Sequence, residues 1–293
     1  MMIIQTKKKI FLASLAYHPI HWIRKILGQP NKGKFKRSGY IWELDLGEVV
    51  DFMIYLVGGF ENYLSDFIRR NLEDGMIALD IGANIGAHTL TMGKSVGSSG
   101  KAHAIEATDY AYNKLIRNIG LNPEIVDHIK AHHCMLIPDT TSPEIFSQEI
   151  HSSWPFQSQE KRHQSHQGVL KTIGEAQKIS LDQLSADLGI SRLDLIKIDV
   201  DGNEWNVLSG GRKTIDRFRP IIIMEIAPDY REANSESGFP QIHRFLTELD
   251  YRFYTFDGKV LPDQAEELAR VIPEGASINV VVVNNSGRMP RFS

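Results

Sequence analysis

A single cysteine, Cys134, stands among the 293 residues, so no internal disulfide can form and no zinc site can be built from cysteines. The chain suits a reducing compartment, and a cytoplasmic location is expected. Long apolar runs are missing too. The longest uninterrupted stretch near the N-terminus falls short of the roughly 20 residues that a bilayer-spanning helix needs, and His18 and His21 break the apolar pattern beyond it. Acidic residues are absent from Met1 to Arg37, which hold nine Lys or Arg, whereas the rest of the chain carries 24 basic against 36 acidic side chains. An acidic body with a short basic arm offers no face to match phosphates, so nucleic acid is not an expected partner. The remaining composition is ordinary: 42% apolar and 24% charged residues can build one sizeable α/β domain with an appendage.

The arm contains Lys7-Lys8-Lys9, apolar residues up to Tyr17, then Trp22 and Ile26, and a second basic run from Lys32 to Arg37. This pattern fits a terminal helix, a peripheral membrane contact through residues 1–37, or a weak export signal that lacks a small-residue cleavage site. Tyr40 to Tyr55 reads as short strands around a turn at Gly47, and Glu61 to Leu72 as a helix closed by Asp74-Gly75. We therefore read residues 1–70 as a basic arm with a small α/β extension, 71–288 as the principal domain and 289–293 as a tail.

Within the principal domain, Met76 to Ile81 looks like a buried parallel strand. Further strands are expected at Ala102–Glu106, Ile129–His133, Leu195–Asp199, Ile221–Ile226, Arg252–Phe256 and Ile278–Val283, and helices at Ala111–Ile119 and Trp205–Phe218. Alternation of this kind argues a parallel sheet covered by helices, with the closely spaced last strands adding an antiparallel edge. Thr140 to Gly174, polar and rich in Ser, Gln and His, reads as an excursion over one face.

The densest chemical signal is Asp80-Ile81-Gly82-Ala83-Asn84-Ile85-Gly86, between a strand and the start of a helix at His88. Gly82 permits a tight turn and Gly86 a close backbone approach to a ligand, while Asp80 can accept hydrogen bonds at the strand end. A second strand ends at Glu106, placed where an acid of a βαβ nucleotide site accepts both ribose hydroxyls. That geometry suits NAD and S-adenosylmethionine alike. Asn84, standing where a dinucleotide loop requires glycine, favours a cofactor without a pyrophosphate. Asn118 and Asn122, beyond the next helix, either touch ligand or cap a turn.

A second cluster occupies Leu195 to Glu204. Its apolar strand carries Asp199 to the carboxyl edge, where open α/β sheets place ligands. Asp201-Gly202-Asn203 makes the turn, and Glu204 enters a helix whose dipole favours its charge. Glu225 ends the next strand and reaches the same rim. Asp199 and Glu225 are candidates for a base acting on a hydroxyl or for sharing a divalent cation; no His-x-His or His-x-x-x-His pattern nearby suggests zinc. His88 is a further candidate contact. His132 and His133, adjacent on a strand, must point to opposite faces.

These residues resemble the FkbM family of S-adenosylmethionine-dependent methyltransferases, class I proteins with a Rossmann-like fold. The matching stretches are LDIGANIGAHT at 79–89, AIEA at 104–107, ISLDQL at 179–184, LIKIDVDGNEWNVLSGG at 195–211 and RPIIIMEI at 219–226. The resemblance implies a seven-stranded, mostly parallel sheet with helices on both faces, and methyl transfer, commonly to oxygen of a sugar, polyketide or related metabolite. Family members typically carry Glu-Gly-His where this chain has Asp201-Gly202-Asn203, and a proline where it has Ala107.

The expected function is O-methylation of a small metabolite, sugar or glycan. Asp80, Gly82, Asn84, Gly86 and Glu106 would hold S-adenosyl-L-methionine, and Asp199, Glu225 or His88 would handle the acceptor proton. Asp201, Glu204 and Asn118 would stand at the substrate or behind these groups, and a divalent metal bridged by Asp199 and Glu225 stays open as the rival arrangement. The alternatives are a nucleotide-dependent oxidoreductase and a non-catalytic cofactor-binding or membrane-associated scaffold.

Overall fold

The computed structural model describes residues 6–138, 148–156, 168–227, 238–273 and 276–292, with the backbone alone for residues 6–10 and 151. The side chains of Lys7, Lys8 and Lys9, and much of the polar segment 140–174, lie outside the described residues. The chain begins with α1 (Thr6–Ile26), a hairpin of β1 (Lys32–Arg37) and β2 (Tyr40–Asp45), α2 (Val49–Val57) and α3 (Asn62–Asn71). Strands and helices then alternate through β3 (Ile77–Ile81), α4 (Thr89–Val96), β4 (Lys101–Glu106), α5 (Asp109–Gly120) and β5 (Ile129–Leu136). A small hairpin, β6 (Glu149–Ser153) and β7 (Val169–Thr172), precedes β8 (Gln177–Ile179), α6 (Leu181–Asp187), β9 (Leu195–Ile198), α7 (Glu204–Ser209) and α8 (Arg212–Phe218). The chain closes with β10 (Ile221–Ile226), α9 (Phe239–Glu248), β11 (Tyr251–Tyr254), α10 (Ala265–Arg270) and β12 (Ile278–Asn284).

The main sheet runs β11-β12-β10-β9-β3-β4-β5-β8. The seven expected strands are all present, and the three-residue β8 lengthens the edge beside Cys134–Leu136. Only β12 runs against the rest. It lies between β10 and β11, so the antiparallel strand is inside the sheet rather than at its border. Period-two alternation splits the strand residues between two cores. Ala78, Ala102 and Ala104 face α3, α4 and the N-terminal extension, sharing a cluster with Trp42, Phe52, Phe67 and Leu90. Leu79, Ile81, Ile196 and Ile222 face the other way, against Leu181, Leu208, Ile215 and Leu246 of the later helices.

The second basic run, Lys32 to Arg37, for which no element is expected from the sequence, is a strand: Lys32, Lys34 and Lys36 are exposed while Gly33, Phe35 and Arg37 turn inward, and the hairpin turns at Ser38-Gly39. Two local expectations are corrected. Val49 to Val57, rich in β-branched residues, is helical. Burial of Val49, Phe52 and Ile54 stabilises it by roughly 1.5–3 kcal/mol per side chain, which outweighs propensity penalties of roughly 0.5 kcal/mol per residue. Gly58, at φ +85°, then ends the helix by donating to Ile54 O. The expected single helix 205–218 is two helices, interrupted at Gly210-Gly211. A β-carbon on Gly210 would stand 2.3 Å from Ile137 O, so the chain passes too close to a neighbouring backbone for any other residue.

Asparagines fasten the extension to the sheet domain. Asn122 Oδ1 accepts from Ile41 N at 2.9 Å and its Nδ2 donates to Ile41 O at 2.8 Å, so one amide imitates a neighbouring strand. Deeper in, Lys114 Nζ contacts both Asp51 oxygens at 2.9 and 2.6 Å. Burial pushes the Asp51 carboxyl up to about 6 even though Lys114 pulls it down.

Candidate active site

Asp80, the penultimate residue of β3, lies between two partners, in register with Ala104 of β4 and Lys197 of β9. The chain then turns sharply because Gly82 N and Ala83 N both donate to Ile105 O at 3.0 Å. Gly82 adopts φ +75°, and a β-carbon there would lie 1.8 Å from Asp199 O. Glycine is therefore demanded by conformation and by the neighbouring strand end at once. Gly86, at φ +95°, faces Leu115, whose Cδ1 would be 3.0 Å from an added β-carbon. Asn84 sits between them in the left-handed region at φ +49°, which asparagine tolerates better than most side chains.

The backbone N–H of Asn84 donates to Glu106 Oε2 at 2.9 Å. Glu106 Oε1 accepts from Thr108 N at 2.9 Å and from Thr108 Oγ1 at 2.8 Å. A carboxylate offers about four lone-pair sites, so these bonds lock the rotamer and leave Oε2 with room for one more donor. Thr108 also caps α5 through Ala111 N and stands 2.8 Å from Ser152 Oγ of β6. The β6–β7 hairpin is thereby seated beside Glu106. Behind it, Cys134 is buried, and burial together with the Glu106 carboxylate pushes its thiol up to about 12.

On the other side of the glycine loop lies a residue outside the sequence-derived candidates. Lys197, in the interior of β9, is buried and donates to Gly82 O at 2.8 Å. Its Nζ stands 3.2 Å from Asp80 Oδ1 and 3.6 Å from Asp199 Oδ2. Burial alone would lower the ammonium's pKa, yet the two carboxylates overcome it and leave the pKa raised. Asp80 Oδ2 accepts from Thr89 Oγ1 at 2.6 Å. His88, the residue before α4, shares a 3.1 Å hydrogen bond between its Nδ1 and Ser65 Oγ, while its buried Nε2 has no hydrogen-bond partner. Burial, then the nearby Lys197 charge, pushes this imidazole down to about 4.

Asp199 keeps 30% of its side chain exposed, in contrast to the closed surroundings of Asp80. Around it the rim is acidic. Glu204 Oε1 accepts from Val200 N and Gly202 N at 3.3 Å each, and burial raises its carboxyl. Burial and the charges of Asp199, Glu225 and Glu204 raise Asp201 well above the usual range; the same causes, burial first and then Asp199, push Glu225 up to about 8. Like charges that cannot all ionise hold their protons longer. Ser277 donates to Glu225 Oε1. Asn279, opposite Glu225 in the β10–β12 register, donates to Glu61 Oε2 at 3.0 Å and to the Tyr63 hydroxyl at 2.9 Å. Among the described residues no three His, Cys, Asp or Glu side chains converge as a metal-holding group.

Asn118 lies behind the loop: its Nδ2 donates to Ile85 O at 2.9 Å and its Oδ1 accepts from Glu43 N at 2.7 Å. Asn203 is used within its own turn, donating to Val200 O and accepting from Asn206, both at 3.2 Å. His132 and His133 do point apart. His132 Nε2 meets His103 Nδ1 at 3.0 Å, whereas His133 stacks on Tyr112 and reaches Ala107 O. The structure thus gathers Asp80, Asp199, Lys197 and the loop, with Glu106 on one flank and Asp201, Glu204 and Glu225 on the other. Lys197 has a legible signal, a lone cation inside an apolar strand that must find an acid. Glu61, Tyr63, Ser277 and Asn279 have none, since only the fold brings them to Glu225.

A family model of the methyltransferase FkbM domain matches residues 80–253, more than half of the chain. Methyltransferase sdnD of Sordaria araneosa is 29% identical over 217 residues, covering 66% of this chain and 80% of its own. Among solved structures, methyltransferase FkbM from Methylobacillus flagellatus is 15% identical, with a TM-score of 0.42 over 73% of this chain and 44% of its own. A SAM-dependent O-methyltransferase from Thermotoga maritima is 11% identical, with a TM-score of 0.41 over 91% of this chain and 82% of its own. The family match covers the glycine loop, Glu106, Lys197 and the whole acidic rim, and on that match the chain belongs to the FkbM family of methyltransferases.

Proposed function

We propose that this methyltransferase moves the methyl group of S-adenosyl-L-methionine to a hydroxyl oxygen of a small metabolite, sugar or glycan. The observation that carries this reading is the position of one glycine loop between two acids: Asn84 N is bonded to Glu106, and Gly82 packs on the carbonyl of Asp199. The loop fits the cofactor. Its two positive-φ glycines let the loop turn tightly against Asp199 O and Leu115, and Glu106 Oε2 retains capacity for one ribose hydroxyl, fewer than the two expected from spacing alone. Asp80, Gly82, Asn84, Gly86 and Glu106 would hold the cofactor, with Asn118 fixing the loop from behind.

When bound, S-adenosyl-L-methionine supplies a methyl group already activated by its sulfonium. The chain's part is to orient the acceptor, exclude water and take one proton. Asp199, the accessible acid beside the loop, accepts the hydroxyl proton as the new C–O bond forms. Glu225 and Asp201, which tend to keep their protons, are better suited to hydrogen-bonding acceptor hydroxyls, with Glu204 ordering the 200–202 turn. His88, neutral and with Nε2 unpartnered, is available as a hydrogen-bond partner rather than as a cation. Residues 71–288 form the catalytic unit in this reading. Ala13, Tyr17, Trp42, Phe52 and Phe67 of the preceding segment belong to its core, and a cytoplasmic enzyme with a peripheral membrane contact fits the chain.

The test uses labelled S-adenosyl-L-methionine with a metabolite extract to identify the acceptor, followed by two substitutions. Asp199→Asn should lower turnover by about 10²–10⁴-fold while calorimetry finds cofactor affinity retained; Glu106→Gln should chiefly weaken the cofactor complex. Near-normal turnover of Asp199→Asn, with loss in Glu225→Gln, would move the base to Glu225. Label transferred to protein, or to nitrogen or carbon of the acceptor, would refute the acceptor class.

A further inference from the structure

One surface of the molecule is used neither by the core nor by the proposed chemistry. Helix α1 has two apolar faces. Ala13 and Tyr17 are buried, with Ala16 and Ile20 packed beside them; Tyr17 stacks on Phe156 at 4.2 Å and meets Phe52 edge-on at 5.5 Å. That side holds the helix to the protein. Phe11, Leu12, Leu15, Trp22, Ile23 and Ile26 lie elsewhere on the helix, and with Leu27 just beyond it they are 51–64% exposed. At 3.6 residues per turn these six helical positions fall within an arc of about 120°, next to the arc that carries Ala13, Tyr17 and Ile20. The exposed residues form a continuous stripe, not scattered surface side chains.

We propose that this outward face of α1 docks on an anionic lipid bilayer, with the helix lying in the plane of the surface. Charge selects the occupant. Residues 1–37 hold nine cations and no acid, Lys25 is exposed on α1, and β1, joined to α1 through residues 27–31, turns Lys32, Lys34 and Lys36 to solvent. Lys32 pairs with Asp45 at 3.0 Å and Lys34 stands opposite Glu43, so two acids of β2 offset part of this charge. The nine cations of residues 1–37 exceed them, and a stripe of bulky apolar groups with Trp among them, carried on the same segment as this positive excess, matches the acyl–headgroup boundary of a negatively charged membrane. A second copy of the chain is the poorer occupant, because facing two such helices would bring two acid-free basic segments together. No helix among the described residues is long and apolar enough to cross a membrane, so the contact is one of lying on the surface. The inference is independent of the acceptor's identity and of the base assignment.

Removal of the whole arm would be a poor test, since Tyr17 and Ala13 belong to the core. The full chain is instead sedimented with vesicles of phosphatidylcholine alone and of phosphatidylcholine with phosphatidylserine, at low and high salt. Binding is expected only to the anionic vesicles and should weaken as salt screens the lysines. The triple substitution Trp22→Ser, Ile23→Ser, Ile26→Ser and the triple substitution Lys32→Glu, Lys34→Glu, Lys36→Glu should each lower the partition coefficient at least about tenfold. Thermal unfolding serves as the folding control, and any apolar variant that unfolds early is replaced by Phe11→Ser, Leu15→Ser. Unchanged partitioning of the folded variants would overturn the proposal. So would a parent chain that ignores anionic vesicles, whether it is monomeric in sedimentation velocity or forms a dimer that the apolar substitutions dissolve.

Discussion

The ammonium of Lys197 and the carboxylate of Asp80 form an ion pair at 3.2 Å with 4% and 1% of the two side chains exposed. A pair so thoroughly removed from water is costly to break from one side, because the surviving charge keeps its desolvation without its partner. Lys197→Met should therefore destabilise the fold by about 3–5 kcal/mol in urea or guanidinium unfolding. It also frees Gly82 O, so cofactor affinity should fall further than in Lys197→Arg, which keeps the charge. A Lys197→Met chain with unchanged stability would refute the cost assigned to breaking this pair.

Glu225 gives a pH signature. Its ordinary value near 4.5 is pushed up to about 8, with burial and then the Asp199 carboxylate as causes. A carboxyl that holds its proton more tightly folded than unfolded contributes stability below about 4.5, and that contribution is lost as pH rises through about 8. The parent's unfolding midpoint should drop between about pH 4.5 and 8 relative to that of Glu225→Gln, which has no proton to lose there, and keep a constant offset from it above about pH 8. Parallel midpoints between about pH 4.5 and 8 would remove the coupling between Glu225 and its acidic neighbours.

Gly82→Ala should be severe. The substitution places a β-carbon 1.8 Å from Asp199 O at φ +75°, combining left-handed strain of about 1–2 kcal/mol with overpacking of about 1–3 kcal/mol. The loop and the Asp199 strand end must separate. Loss of both cofactor affinity and turnover, measured by calorimetry and label transfer, is expected, whereas Gly120→Ala, with open space around its position, should leave both intact.

Asn118→Ala removes the donor to the buried Ile85 O and the acceptor for the part-buried Glu43 N, at a cost of about 1–3 kcal/mol for the buried carbonyl. Stability should fall, with a weaker cofactor complex as the loop relaxes and with the acceptor KM of the remaining folded enzyme unchanged. A selective rise in that KM would put Asn118 at the substrate instead.

The parts of this fold legible in the sequence are those where one short segment carries its own physics. The apolar runs at 77–81, 195–198 and 221–226 are buried on both faces, and their acids fall at the carboxyl edge by strand length alone. Val49 to Val57 reads as strand yet folds as helix, because β-branched content is a weak local preference, overridden by a core that only the folded chain supplies. The break at Gly210-Gly211 is hidden for the same reason, since its cause is Ile137 O, more than 70 residues away. At the site, loop and acids are legible as residues, but their partners are not. That Glu106 is held by Thr108 and Asn84, or that Glu225 faces Asn279, depends on turn geometry and strand order, which no single segment contains.

Thr108 has one hydroxyl hydrogen and three neighbours, and this sets a direction. Glu106 and the hydroxyl of Ser152 both lie 2.8 Å from Thr108 Oγ1. Since a carboxylate can only accept, Thr108 must give its hydrogen to Glu106, and Ser152 must then be the donor to Thr108. The relay points one way, from the β6–β7 hairpin towards the acid of the glycine loop. Any hairpin exchanged for this one by recombination must arrive with a hydrogen to give at that position; a segment offering only lone pairs would be turned away by the polarity already set at Glu106.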